Sequence, residues 1–327
     1  MKIPLDIIRL HFTTPLHISN QRSDYSRSET FIQSDTLAAA IMQAWASLGK
    51  TEWITDNPGF AVSSLFPFMA TNGNYIYFFP KPMKDKTSGT LPNRLLKKFK
   101  KIRYYQMELF EKRLTGRFEF VNEKQIHGEY YTEPDINEPL RIFSSSVVPR
   151  IMRPRNPSED SVPFYMEKLY FHEKAGLFFI LRTENEEAKS RFFQGLELLA
   201  ETGLGSDRSV GNGRFNYSTD FKEINCPDES EYSISLSVFI PESDNSFINM
   251  LGENASYDLI RRGGWISEPF NSLRKRSVYM LLPGSVLKMN IKGIDVRGRV
   301  VDLKPLNINT HKAIYRSGRS IFLPLNP

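Results

Sequence analysis

The densest concentration of chemically useful residues is Thr202-Gly203-Leu204-Gly205-Ser206-Asp207-Arg208-Ser209-Val210-Gly211-Asn212-Gly213-Arg214-Phe215, in which four glycines fall within eleven residues. Glycine reaches positive φ and lets a second backbone or a phosphate approach closely. Ser206, Ser209 and the loop amides can donate hydrogen bonds, and Arg208 and Arg214 add positive charge. The familiar nucleotide motifs fail here: no GxxxxGK[ST] is present, and Arg208 stands where GxGxxG needs its third glycine. Those motifs also run from strand through loop into helix, aiming a helix N-terminus at phosphate, whereas this loop leaves a helix and enters a strand. A glycine helix cap explains Gly203 but not the other three glycines, so a loop that contacts phosphate or RNA is the favoured reading.

A second group of candidates precedes the first helical pattern: Pro15-Leu16-His17-Ile18-Ser19, then Asp24-Tyr25-Ser26, then Phe31-Ile32-Gln33-Ser34-Asp35-Thr36-Leu37. His17 has the titration range of a general base for metal-independent RNA cleavage, but no second histidine or lysine lies near it in sequence. RNA contact or local packing therefore ranks ahead of catalysis for His17. Asp35 reads as a helix cap. Arg150, Arg153 and Arg155 lie in the proline-rich run SSSVVPRIMRPRNPSEDSVP, where they either grip phosphate or solubilise a loop.

Charge is unevenly spread. Lys81 to Lys124 holds 13 Lys and Arg against five Asp and Glu, a local +8 in a chain of formal net charge +6, so the remainder is slightly acidic. Phe99, Tyr104, Tyr105, Phe110, Phe118 and Phe120 are interleaved with that basicity, a mixture suited to phosphate neutralisation plus base stacking. A solvated helical face with snorkelling lysines fits the composition equally well. Lys97, Lys98, Lys100 and Lys101 are its strongest phosphate candidates. The single Cys226 excludes an intramolecular disulfide framework, and five scattered histidines (His11, His17, His127, His172, His311) argue against a structural zinc site. No metal or other cofactor is expected. Apolar runs are strand-sized, far below the roughly 20 residues that span a bilayer. With no signal-peptide pattern, the expectation is a cytoplasmic protein with no membrane partner.

The elements that must position these residues alternate between β and α. Ile3 to Phe12 alternates as a strand, and TLAAAIMQAWASLG is an amphipathic helix closed by Gly49. Asn74 to Phe79 reads as the next strand, and Met166 to His172 with Leu177 to Arg182 as a hairpin. A second helix is capped by Thr183 with Glu186, and Arg214 to Phe221 closes a βαββαβ order, that of ferredoxin-like or RRM-like domains. The interval from Pro80 to Pro163 reads as an insertion, and KEINCPDESE as a linker to a strand-rich second part with a helix near Ser246.

The LHIS-like segment, the DYSRSE stretch, the I-x-SDTL-x-x-A helix start and the GLGSDRSVGNGRF loop together resemble the RAMP superfamily of CRISPR effector proteins. Within it they are most similar to the fourth-subunit family of the type III-A (Csm) complex. The likeness extends to RSVYMLLPGSVL and HKAIYRSGRSIFLPL near the carboxy terminus, and the glycine loop is its most specific part.

The resemblance implies an α+β chain of two ferredoxin-like (RRM-like) domains. The first would cover residues 1–222, with a large basic insertion at about 81–163 and the glycine loop at 203–214; the second would cover 230–327. It implies a non-catalytic subunit that holds the 5′ repeat-derived tag of the CRISPR RNA and contacts the large polymerase-like subunit and the backbone RAMP subunit. The insertion would meet target RNA as a thumb-like wedge at the guide–target duplex. The implied tag-binding positions are His17, Ser19, Arg22, Tyr25, Ser34, Gly203, Gly205, Ser206, Arg208, Ser209, Gly211, Asn212 and Arg214. Two alternatives stay open: a RAMP endoribonuclease that processes precursor RNA, using His17 with Tyr25 or a distant lysine, and a general single-stranded RNA binder.

Overall fold

The computed structural model describes the chain except residues 20–24, 72, 85–92, 119–121, 135, 137–139, 155–157, 159, 267–272 and 307–312. Alternation in β1 (Lys2–Phe12) divides its side chains between two cores: Ile3, Leu5 and Ile7 join one apolar cluster, while Ile8 and Leu10 join another on the opposite face. α1 (Ser34–Ser47) buries Leu37, Ile41 and Trp45 and is followed by Gly49 at φ 75°, the left-handed terminus its sequence predicts. Its start differs from expectation. Gln33 occupies the N-cap, and Ser34 and Asp35 are buried in the first turn.

After α1 come β2 (Phe60–Val62), β3 (Phe66–Thr71) and β4 (Asn74–Pro80). β3, which the sequence pattern does not single out, is the strand that pairs with the core of the sheet, and the expected Asn74–Phe79 strand lies one place further out. The basic segment then forms α2 (Asn93–Lys101), β5 (Tyr104–Gln106), α3 (Met107–Leu114), β6 (Ile126–His127) and β7 (Tyr130–Tyr131). Expected as an insertion, it is continuous with the fold in space. β5 pairs with β4, and Phe99, Tyr104, Tyr105 and Phe110 are buried in the same cluster as Ile3 and Leu5. Each such side chain withdrawn from water contributes about 1.5–3 kcal/mol, which accounts for these aromatics without a base to stack on.

β8 (Phe143–Met152) and β9 (Val162–Phe171) form a two-stranded antiparallel ribbon. β9 therefore pairs with β8, and the expected hairpin of β9 with β10 (Ala175–Thr183) is not made; only a turn from His172 to Ala175 connects them. In a two-stranded ribbon both strands are edges, so Pro149 and Pro163 are tolerated. α4 (Glu186–Thr202) is capped by the Asn185 side chain, which accepts from the Ala188 amide at 2.8 Å, and Thr183 ends the preceding strand instead of capping the helix.

β11 (Phe215–Asn225) pairs with β1 along its whole length, so the first four of the ten residues of the expected linker are strand. The main sheet runs β11-β1-β10-β3-β4-β5-β7-β6, with β2 also on β10 and only β5–β7 parallel. α1 and α4 cover one face, closing Trp45, Phe192 and Leu196 over Leu10 and Phe179.

The carboxy-terminal part comprises β12 (Tyr232–Ser235), α5 (Asp244–Asn249), β13 (Leu259–Arg262), β14 (Val278–Leu281), β15 (Val286–Lys288), β16 (Asp295–Arg297), β17 (Val300–Asp302), β18 (Tyr315–Ser317) and β19 (Ser320–Leu325). Its largest sheet is ordered β15-β12-β19-β16, which differs from the strand order of the ferredoxin-like domain expected there. Ile234, Leu236, Ile321 and Leu323 join the cluster that holds Leu5 and Phe178, so the two parts share one core. No helix among the described residues is long and apolar enough to cross a membrane.

Candidate nucleic-acid interface

The glycine loop is fixed by its own chain. The Leu204 amide donates to Gly213 O (2.9 Å), the Ser206 amide to His17 O (2.9 Å), the Gly213 amide to Pro15 O (2.9 Å) and the Arg214 amide to Thr14 Oγ1 (2.8 Å). These bonds explain three of the glycines. A Cβ would collide with Asn212 O at Gly203 and with Leu204 O at Gly213, and would lie 2.6 Å from His17 O at Gly205. Close approach is required, but the approaching backbone is this protein's own. Gly211 differs: at φ 84° it has nothing within 4 Å of a Cβ position. Asp207 also takes the left-handed conformation, at φ 59°, and its carboxylate lies 3.3 Å from the Arg150 guanidinium of β8.

The opposite wall of the loop is the segment after β1. His17 is 0% exposed and its Nδ1 lies 2.7 Å from Glu167 O on β9, an arrangement in which the protonated nitrogen donates. Leu16 bridges Leu169, and Tyr25 packs its ring against Phe164 at 5.3 Å. His17 therefore clamps the glycine loop through its carbonyl and the ribbon through its ring.

A cavity of about 990 Å³ opens beside the loop, lined by Ser19, Tyr25, Gly205, Ser206, Arg208, Ser209 and Arg214 together with α1, α4 and Trp265. Seven sequence-predicted positions meet there. The others are placed differently. His17, Gly203 and Asn212 are buried within the loop's support. Ser34 is also buried, its amide donating to Ser64 Oγ and its hydroxyl accepting from the Val238 amide, so its polar groups are already occupied by the protein. Gly211 does not line the cavity. Lys97, Lys98, Lys100 and Lys101 are exposed on α2, away from it, with Lys98 paired to Glu123 at 2.6 Å. Arg150 reaches the loop through Asp207, and Arg153 is exposed just beyond the end of β8. Arg22 and Arg155 lie outside the described residues.

A second cavity of about 590 Å³ shares Ser19, Gly205, Ser206, Arg208 and Trp265 with the first and continues to Arg261, Arg262, Lys275 and Arg316. Asp35, wholly buried, organises this wall. Arg262 donates to it from Nε (2.9 Å) and Nη2 (3.1 Å), and Arg316 from Nη1 (2.6 Å). Burial alone would raise the Asp35 carboxyl, but the two guanidinia outweigh it and hold the group below the usual carboxylate range. Lys275 is pushed the other way, down to about 8, by burial and by Arg316, against the attraction of Asp35. Sequence reasoning missed this wall. Arg261-Arg262-Gly263-Gly264-Trp265 combines base, glycine and aromatic in five residues and was the signal available; nothing local connects Asp35 to Arg316.

Residues 228–325 match the family model described as CRISPR Csm4 C-terminal domain. The chain is 25% identical to the CRISPR system Cms protein Csm4 of Thermococcus onnurineus, covering 80% of this chain and 84% of that one. It is also 25% identical to the protein of the same description from Methanocaldococcus jannaschii, covering 92% of each. Among solved structures, a chain of a Csm3–Csm4 subcomplex of the type III-A CRISPR–Cas interference complex aligns over 100% of both chains, with 19% identity and TM-score 0.66. A chain of a Csm1–Csm4 cassette in complex with pppApA aligns over 99% of this chain and 98% of that one, with 18% identity and TM-score 0.59. The fold is that of the chains aligned from the Csm3–Csm4 and Csm1–Csm4 structures. Over most of its length the chain is similar to Csm4 proteins, and residues 228–325 match their carboxy-terminal domain.

Proposed function

We propose that the chain is a non-catalytic, cytoplasmic RNA-binding subunit of a type III-A effector complex, holding the 5′ repeat-derived tag of the CRISPR RNA and joining the large subunit to the backbone RAMP subunit. The observation that carries the reading is the 990 Å³ cavity, lined by Arg208 and Arg214, the loop serines, Tyr25 and Trp265, with Glu201 and Asp207 beside them. Cations for phosphate and aromatic faces for bases are what single-stranded RNA requires. The Csm3–Csm4 and Csm1–Csm4 structures support the two protein contacts. A ferredoxin-like first unit is supported by β11-β1-β10-β3, which places the fourth, first, third and second strands of the βαββαβ order side by side. The ribbon, with Val147, Ile151, Met152 and Tyr165 exposed, suits a wedge against the guide–target duplex.

The burial of His17 and the engagement of its Nδ1 weigh against the endoribonuclease alternative. The test is binding of labelled repeat RNA by the purified chain at physiological salt, in EDTA. Arg208→Ala should weaken binding by about 1–3 kcal/mol while the RNA stays intact. An unchanged Kd overturns the assignment of Arg208, specific cleavage establishes the enzyme instead, and equal competition by random RNA establishes a general binder.

A further inference from the structure

The second cavity holds chemistry that the loop does not explain. Among the described residues its lining carries five cationic side chains, Arg208, Arg261, Arg262, Lys275 and Arg316, against one carboxylate, Glu29. Asp35 lies beneath the wall and is already shared by two of the arginines. Arg261 is held by Ser277 Oγ at 3.0 Å, and Arg208 has Gln43 Oε1 at 3.4 Å, neither of which neutralises charge. No carboxylate lies within 4 Å of Lys275 Nζ among the described residues. At the wall, Gln33 is 4% exposed, its Oε1 accepts from Ser64 Oγ, and its Nε2 has no hydrogen-bond partner. A buried amide donor left unpaired next to surplus positive charge calls for an acceptor that is also an anion.

We infer that this cavity is an anion site built jointly by the glycine loop, the start of α1 and the carboxy-terminal part, and that it takes a phosphate group of bound RNA, with Lys275 as the ligating cation and Asp35 as the positioning residue for Arg262 and Arg316. The inference rests on the RNA-binding reading above and adds a place that reading does not assign. The surroundings of Lys275 give the site a measurable signature. It faces Arg316 on β18, Arg262 and Arg261 on β13, Arg208 on the loop, Asp35 on α1 and Glu29 before it. Lys275 in the free protein loses its proton near pH 8. A bound phosphate favours the charged form and raises that value, so affinity is highest below about pH 8 and falls between the free and the bound value as pH rises. A phosphodiester does not titrate in this range, so the slope belongs to the protein.

The experiment measures binding of a short fluorescein-labelled single-stranded RNA, and separately of the phosphodiester dimethyl phosphate, to the full chain from about pH 7 to about pH 9. Wild type should weaken several-fold across the interval for both probes. Lys275→Gln should bind RNA about ten- to hundredfold more weakly at neutral pH and lose the slope, as expected when one charge-assisted hydrogen bond is removed. Lys275→Arg, always charged, should restore affinity without the slope, which a purely structural role for Lys275 would not produce. RNA binding that is pH-independent in wild type and unchanged in Lys275→Gln overturns the site and leaves the RNA reading standing. Dimethyl phosphate binding with the predicted slope, but no RNA binding, overturns the RNA reading and keeps the anion site.

Discussion

Two stretches rich in arginine or lysine invite the same functional reading, and the fold separates them. In the segment from Asn93 to Tyr131 the lysines of α2 face solvent while Phe99, Tyr105 and Phe110 are buried in the shared core. The aromatics there hold β5 and α3 to the sheet. In the loop from Gly203 to Arg214 the backbone is spent on the protein itself, yet Arg208, Ser209 and Arg214 are left lining a cavity together with Tyr25 and Trp265. Composition is similar, but orientation is not. A cation and an aromatic make a nucleic-acid site only when both reach the same space, and that is a property of tertiary packing.

Glycine substitutions give the largest expected separation. Gly213→Val drives a Cβ into the Leu204 carbonyl at φ 74°, where neither backbone can retreat without breaking the Leu204–Gly213 and Gly213–Pro15 bonds. We expect a loss of about 4 kcal/mol or more, among the largest for a single substitution. Gly211→Ala, with open space around it, should cost only about 1–2 kcal/mol for the left-handed conformation. Urea denaturation of both variants decides the matter; equal losses would mean that the loop is not locked as described.

Much of this architecture was legible in the chain, and what was not has identifiable physical causes. The 2-residue period of β1 and the apolar face of α1 are local and were readable directly. Asp35 was misjudged because the usual partner of an acid at a helix start is its own backbone; its actual partners, Arg262 and Arg316, are 227 and 281 residues away. The ribbon was misjudged for a related reason: β9 and β10 are adjacent in sequence and joined by a tight turn, and only the pairing of β9 with β8 shows that they diverge. The glycine loop was located correctly, but its glycines were attributed to a ligand when most of them accommodate Asn212, Leu204 and His17.

The basic segment offers the next contrast. Phe110, 0% exposed and stacked on Phe79 at 4.9 Å, should cost about 3–5 kcal/mol on replacement by alanine, read as a fall in the urea midpoint. Replacing Lys97, Lys98, Lys100 and Lys101 by glutamine should leave that midpoint nearly unmoved, apart from loss of the exposed Lys98–Glu123 pair. If those lysines meet RNA phosphates, the salt slope of binding shrinks by up to about 0.7 for each phosphate no longer neutralised. A large stability loss in the quadruple variant would show that the division into inward aromatics and outward lysines is wrong.

The smallest effect concerns the place where ribbon and loop touch. Arg150 and Asp207 are 3.3 Å apart with both side chains about one-third exposed, so solvent screens most of their attraction. Arg150→Ala alone should change stability by no more than about 1 kcal/mol. Asp207→Ala costs something extra because its φ of 59° suits Asp better than Ala. That backbone cost appears in both arms of a double-mutant cycle and cancels, which leaves the pair's own coupling, expected at about 0.2–1 kcal/mol. A coupling within that range means the ribbon leans on the loop through this contact. A coupling of zero means the attachment rests on the segment after β1, through the Leu16–Leu169 bridge, the His17–Glu167 bond and the Tyr25–Phe164 packing, and not on the Arg150–Asp207 pair.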